Sequence, residues 1–370
     1  MFTRGTKVLI VLAVFAAQAL GPAAAQDDRL TGKLVYEEGI QPDGQKSPAI
    51  VVRDMATLEH RIVAAPGMSP RWFPSAQEIA YFLPDNMQNG IVDVPDAPDV
   101  TERRILLGGT FYRYRAVFPG RTIVIDTVGN RRRELKHFVA DIDSTGRLAL
   151  TIRPVVGPAP TLRSRSGDLL VQDISTGELS MLLSAAQIAG DADKEALRDA
   201  RWVPDGRSVV YQTETLTQDQ RGYWIGSWAL YLLEIATKNR SRLMLRSAVT
   251  AGTGPRDFSV SPDGKKIVFS VLGDNDLWVF DLAAARTEKL EVGQSGYRKR
   301  EPRFSPDGRS VLFELIDQTD TYGTTSFWIA PSTGGSAKRL FPRSWRHIVR
   351  QFVLKEYDHL ADWWQPPRSQ

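Results

Sequence analysis

The chain contains no cysteine. That excludes disulfides, thiolate metal sites and a cysteine nucleophile, and it excludes a lipid-anchored start, which needs a cysteine at the new N-terminus. Histidine is scarce: only His60, His137, His347 and His359 occur, and none stands in a His-x-x-x-His pair or a Glu–His cluster with metal-ligand spacing. A Gly-x-Ser-x-Gly elbow is missing; Gly293-Gln294-Ser295-Gly296 is one residue short. The one Gly-x-Gly match, Gly252-Thr253-Gly254, has Asp257 where a third glycine would stand and Pro255 next to it, so no phosphate-cradling loop is expected. Asp141-Ile142-Asp143-Ser144-Thr145-Gly146 lacks the further carboxylates and closing Glu of a calcium loop. These absences predict no cofactor, no metal and no catalytic residue.

The only long apolar run is N-terminal. Arg4 and Lys7 precede Val8–Leu20, and Ala23-Ala24-Ala25 offers a small-residue cleavage site. This layout predicts a cleavable secretory signal over residues 1–25 and a mature chain from Gln26 without a transmembrane segment. Losing Arg4 and Lys7 with that leader lowers the formal net charge from +4 to +2, too little for a nucleic-acid surface. Without disulfides, an exported chain must rely on its core, and 42% hydrophobic residues supply the material. The expected compartment is the bacterial periplasm.

What is abundant is one turn. Pro204-Asp205-Gly206, Pro262-Asp263-Gly264 and Pro306-Asp307-Gly308 each lie between short apolar runs. Two residues before the proline stand Trp202, Val260 and Phe304; five after, Val209, Ile267 and Val311; seven after, Tyr211, Phe269 and Phe313. The +5 and +7 positions share a strand face. Pro presets φ at the first corner, Asp suits the next, and Gly takes the left-handed position. Trp72-Phe73-Pro74-Ser75-Ala76, with Ile79 and Tyr81, is a fourth copy, and Val139–Ile152 a weaker fifth.

A second hairpin type alternates with the first, at Ala49–Val63, Thr122–Leu135, Leu169–Leu183, Ala229–Leu245, Leu277–Leu290 and Phe327–Leu340. One hairpin of each type makes a four-stranded antiparallel unit. Prolines 204, 262 and 306 are 58 and 44 residues apart, near the length of a propeller blade. The predicted fold is therefore all-β: a six-bladed β-propeller spanning residues 26–370 as a single domain. Its ring is closed by strands from both termini, with Leu34-Val35-Tyr36 and Val349–Leu354 as candidates. Ala185–Ala196 reads as a helix, and Asn86–Arg115 and Thr213–Trp228 as insertion loops. Tyr223-Trp224 in the last of these, and Trp363-Trp364, fit no predicted strand face.

The Ser-Pro-Asp-Gly turns at Ser261 and Ser305, with Asp276-Leu277-Trp278-Val279-Phe280-Asp281-Leu282 and the endings Lys289-Leu290 and Arg339-Leu340, resemble the TolB-type β-propeller repeat. The resemblance covers most of the chain beyond the leader and implies a periplasmic scaffold. TolB itself carries an α/β domain before its propeller; the stretch from Gln26 to Leu34 is too short to hold one.

One constellation remains. Six and five residues before the turn prolines stand Arg198-Asp199, Arg256-Asp257 and Arg300-Glu301. Blade two has Met68 and Ser69 there. On the innermost strands these dyads would surround one channel mouth. They are either an inter-blade belt satisfying its own charges or a rim that receives a peptide or acidic ligand. With Tyr223 and Trp224 they form the candidate partner-binding surface, and the expected partner of this monomer is an envelope protein or peptide segment. The competing reading is a glycan-binding propeller or a metal-dependent polysaccharide-degrading enzyme, which would require His60, His137 or His347 to converge with carboxylates.

Overall fold

The computed structural model describes residues 32–38, 49–85, 87–88, 91–92, 120–154, 167–190, 195–218, 224–243, 254–271, 274–316, 325–343 and 361–364. All lie in the unit Thr31–Gln370. The predicted leader, His347, His359 and Tyr223 fall outside the described residues.

The short strands form six four-stranded antiparallel sheets arranged as the blades of a propeller. Blade two runs from its inner strand Met68–Trp72 through Glu78–Pro84 and Gly120–Asp126 to the outer strand Arg131–Lys136. Blades three to six repeat this order, their inner strands being Phe138–Ile142, Glu195–Trp202, Pro255–Val260 and Arg298–Phe304. Blade one is composite. Its inner strand, Ala361–Trp364, pairs antiparallel with Lys33–Glu38, which pairs in turn with Ala49–Asp54 and through it with His60–Ala64. Ring closure by both termini thus holds, but Ala361–Trp364 supplies the closing strand; Val349–Leu354 lies outside the described residues.

Two further expectations change. The expected helix Ala185–Ala196 is shorter, Ala185–Ala189, opened by a Ser184–Gln187 capping box, and Glu195–Trp202 is already strand. The described parts of the expected loop Thr213–Trp228 are strand. Ser208–Gln218 and Trp224–Glu234 are eleven-residue strands in continuous register from Ser208↔Glu234 to Gln218↔Trp224. Trp224 belongs by its backbone to the second of these strands, and Trp363 and Trp364 to the closing strand. Short strands are not the limit in an antiparallel pair; alternating Thr and apolar residues simply carry the ladder on.

The turns form as their residues dictate. The glycine amide donates to the carbonyl three residues back in each inner hairpin, Gly206 to Val203, Gly264 to Ser261 and Gly308 to Ser305, at 2.8–2.9 Å. In the two Ser-Pro-Asp-Gly copies the serine hydroxyl donates to the Asp carboxylate and accepts the amide five residues on. The outer hairpins of blades one, two, three and five turn on Asp54, Asp126, Asp173 and Asp281, whose carboxylates accept the following amides.

Successive turns nest. A Cβ on Gly264 would stand 3.2 Å from Val203 and 3.5 Å from Pro204 of the preceding blade, and one on Gly308 3.5 Å from Pro262. Between neighbouring blades lie separate apolar cores. Val35, Ile50, Trp72 and Ile79 pack blade one on two; Leu150, Leu169, Leu197 and Tyr211 pack three on four; Val268, Leu277, Phe304 and Phe313 pack five on six. At the closing interface Tyr36 of blade one meets Phe327 edge-on at 5.6 Å, and the Arg53 guanidinium lies 4.0 Å from the centre of the Phe341 ring.

The nesting predicts unequal cost for equal chemistry. Gly206 and Gly264 both have φ near +70°, but a Cβ on Gly206 meets nothing within 4 Å. Gly206→Ala should cost the left-handed penalty of about 1–2 kcal/mol, and Gly264→Ala measurably more. Equal losses in denaturant melts would show that the turns do not bear on one another.

Candidate functional site

The inner strands carry the charge. In blades two to six each is irregular near the same place: register shifts fall between Met68 and Arg71, Val139 and Asp141, Leu197 and Asp199, Pro255 and Phe258, and Arg300 and Arg303. The extra residue bends the strand and turns side chains toward the neighbouring blade. Ser69 and Glu301, five residues before their turns, take positive φ of 50° and 53°. Their amides donate to a carboxylate of the preceding blade, Ser69 to Glu37 and Glu301 to Asp257.

The dyads stand on these bends, mostly buried. Arg198 Nε donates to Glu214 at 2.6 Å with the arginine side chain fully enclosed, and Arg300 Nε to Glu314 at 2.9 Å with 14% of the arginine side chain exposed. Asp199 accepts from Arg201 at 2.6 Å, and Asp257 from the Ser270 hydroxyl at 2.8 Å. Arg256 is placed by its backbone in Pro255–Val260. The three dyads are thus brought to equivalent positions of consecutive blades, and the charges of Arg198, Asp199, Asp257 and Arg300 are engaged within the protein. Trp224 starts the long blade-four strand, opposite Gln218. The paired strands pass beyond Glu195, whose partner is Thr215, so the pair Gln218 and Trp224 lies toward the face where the inner strands begin. The dyads occupy this end of their strands, and the proline turns the other.

Sequence reading missed a second ring, three residues before each turn proline or its equivalent. Around the propeller the positions are Asp362, Arg71, Asp141, Arg201, Ser259 and Arg303, so oxygen-bearing side chains alternate with arginines. The oxygen-bearing residues each accept the amide of the next blade: Asp362 from Trp72, Asp141 from Trp202, Ser259 from Phe304. The arginines bind carbonyls. Arg71 donates to Ala140 and Pro70, Arg201 to Ala140 and Ala200, and Arg303 to Phe258 and Pro302, at 2.7–3.2 Å. The signal was in the sequence: Arg-Trp, Arg-Trp and Arg-Phe precede alternate turns at 71, 201 and 303.

Crowding these groups perturbs them. Burial, then the charges of Arg201 and Arg303, push the Arg71 guanidinium down to about 9; burial and Arg201 lower Arg303. Burial raises the Asp141 carboxyl to about 6 against the opposing pull of Arg201 and the Trp202 amide.

The two described histidines do not converge. His60 is exposed on the outer strand of blade one, and His137 sits between the outer strand of blade two and the inner strand of blade three. Among the described residues no group of three His, Asp or Glu side chains could hold a metal ion.

No family model matches this sequence. A stretch of 126 residues is 29% identical to dipeptidyl-peptidase 5 of Porphyromonas gingivalis; it takes in 31% of this chain and spans 16% of the length of that protein. Among solved structures, TolB of Acinetobacter baumannii superposes with a TM-score of 0.55 at 17% identity, covering 85% of this chain and 64% of that one. A protein from Agrobacterium tumefaciens assigned as TolB does so with a TM-score of 0.51 at 15% identity, covering 85% of this chain and 90% of that one. The chain has a TolB-like propeller fold.

Two predictions follow from the buried charges. Removing one partner of an enclosed ion pair strands the other, so Glu214→Gln should cost about 3–5 kcal/mol. Glu314→Gln should cost less, since Arg300 keeps contact with water; the reverse ranking in chemical denaturation would contradict the assigned burial. Asp141 ionises in the unfolded chain near 3.8 but in the folded chain near 6. The folded state therefore holds its proton longer, and stability falls as pH rises through this window. Relative to Asp141→Asn, the wild type should lose up to about 3 kcal/mol between pH 4 and 6 and stay level above pH 7. A gap that does not change with pH would place the Asp141 carboxyl at its ordinary value.

Proposed function

We propose that this chain is a periplasmic, non-catalytic binding scaffold, exported by the leader at residues 1–25, with residues 26–370 forming one propeller domain. It docks an envelope protein or peptide segment on the face where the inner strands begin. The observation that carries this reading is the blade-four hairpin, which extends past its inner strand on the same face as the three dyads. A ribbon projecting beside a channel mouth offers backbone to a partner, and Tyr223 and Trp224 are the aromatic residues this reading assigns to the contact. Arg198, Asp199, Asp257 and Glu301 shape that mouth from within. Arg256 and Arg300 supply charge for an acidic segment, and the Arg300 side chain reaches solvent.

The TolB-like fold supports the scaffold reading as an analogy of architecture. The stretch shared with dipeptidyl-peptidase 5 is too small a part of that protein to carry its activity here.

The test is a pull-down. The tagged chain is expressed in its native envelope, lightly crosslinked, and its co-purifying proteins are identified by mass spectrometry. A near-stoichiometric partner is expected, lost when Arg256 and Arg300 are reversed to Glu and weakened by Trp224→Ala. Undiminished capture by the reversed variant, with a lower melting temperature, would make the dyads a structural belt and overturn the docking role.

A further inference from the structure

Three of the four large apolar side chains exposed among the described residues stand in one place: Leu58 at 40%, Ile62 at 41% and Val128 at 61%. Leu58 and Ile62 belong to the outer hairpin of blade one, and Val128 to that of blade two. The two hairpins touch. Arg61 Nη2 donates to the Thr127 carbonyl, and a Cβ on Gly129 would stand 2.6 Å from the Val63 carbonyl oxygen. Ile62 lies between Arg61 and Val63, and Val128 between Thr127 and Gly129. Residues remote in sequence thus form one apolar patch on the outer rim.

Folding does not account for Leu58. Its amide closes the turn on the Asp54 carbonyl, and its φ of 62° is in the left-handed region. Gly177 and Lys238 fill the same place in blades three and four, bonded to the carbonyls of Asp173 and Glu234. A leucine there is strained and leaves much of its side chain in water, so it serves neither the turn nor the core.

Cationic side chains border the patch. The outer strand of blade two, Arg131–Lys136, carries four bases against Glu134. Arg131 and Arg132 pair with Glu134 and Asp126, yet keep 57% and 54% of their side chains exposed. Pairs so exposed are held weakly, and phosphate groups can take the place of the carboxylates. Blade one adds exposed Arg61 beside exposed Glu59. The first and third strands of a blade run the same way, so the outer turns lie at the end of the proline turns, opposite the dyads.

We propose that this patch seats the protein on an anionic phospholipid surface. Leu58, Ile62 and Val128 enter the headgroup layer, and Arg131 and Arg132 meet its phosphates. Three aliphatic side chains are too few for the core of a stable protein interface, whereas a small apolar tip with a basic border is what an acidic membrane attracts. Seated so, the chain turns its dyad face away from the bilayer. The inference is independent of the docking role, since it concerns the rim of blades one and two.

The purified exported chain is sedimented with vesicles of phosphatidylcholine alone and of equal parts phosphatidylcholine and phosphatidylglycerol. Binding to the mixed vesicles is expected, weak on phosphatidylcholine and falling as salt rises. Ile62→Asp with Val128→Asp, and separately Arg131→Gln with Arg132→Gln, should each weaken it about tenfold or more. Leu58→Gly, which suits the left-handed backbone, should weaken binding without lowering the melting temperature, an outcome that a purely structural role would not give. Arg207→Gln, in the exposed blade-four turn, should leave binding unchanged. No sedimentation with the mixed vesicles, equal sedimentation with both kinds, or binding undiminished in the two Asp substitutions overturns the proposal. A dimer dissolved by those substitutions would give the patch to a second copy, and an envelope protein released by them would give it to a protein partner; either overturns the lipid reading.

Discussion

Everything in this molecule depends on packing the inner strand of each blade against its neighbours without leaving a backbone amide unsatisfied. Six sheets twist away from a common axis, and their ladders satisfy only the groups that point along each sheet. At the irregular positions the inner strands lose ladder partners. The side chains three residues before the turns replace them, Asp362, Asp141 and Ser259 each taking an amide from the next blade. Register between blades is thus set by side-chain oxygen at the axis, with apolar cores filling the wedges outside it.

That solution concentrates charge where water is scarce. Carboxylates that accept amides must be balanced, and arginines from alternate blades do so while tying down carbonyls that the same bends expose. The balance is imperfect at Arg71, which lies closest in effect to two other cations. It is also strained at Asp141, whose carboxyl is raised by the burial that its bond to Trp202 requires. Buried ionic groups of this kind add little net stability; what they contribute is a single admissible arrangement of six nearly equivalent sheets.

The dyads occupy a different layer and obey a different logic. Arg198 and Arg300 reach along their own blades to Glu214 and Glu314, while Asp257 reaches across to blade six. Their pairing stiffens the mouth of the channel on the face over which the long blade-four hairpin projects. A rigid rim beside a projecting ribbon is an arrangement suited to recognition, because the rim loses little freedom when a partner settles on it.

Blade count, the inner turns and the core residues beside them were legible because each rests on local chemistry. Pro, Asp and Gly fix a turn wherever they fall, and alternation fixes which residues face the core. The repeated dyads were legible for the same reason, as offsets from that turn. Their burial was not, since it comes from bends and from neighbouring blades remote in sequence. Nor could periodicity show that Thr213–Gln218 stays paired with Trp224–Ala229 or that Ala361–Trp364 closes the ring, because both depend on which distant strand offers an edge. The alternating ring of Asp362, Arg71, Asp141, Arg201, Ser259 and Arg303 sits on blades whose members lie up to 290 residues apart in their hydrogen bonds. Sequence alone determined that these chains of turns and strands would make a propeller. Only the closed ring decided which charges meet at its axis, because a contact between blades exists only once every blade is in place.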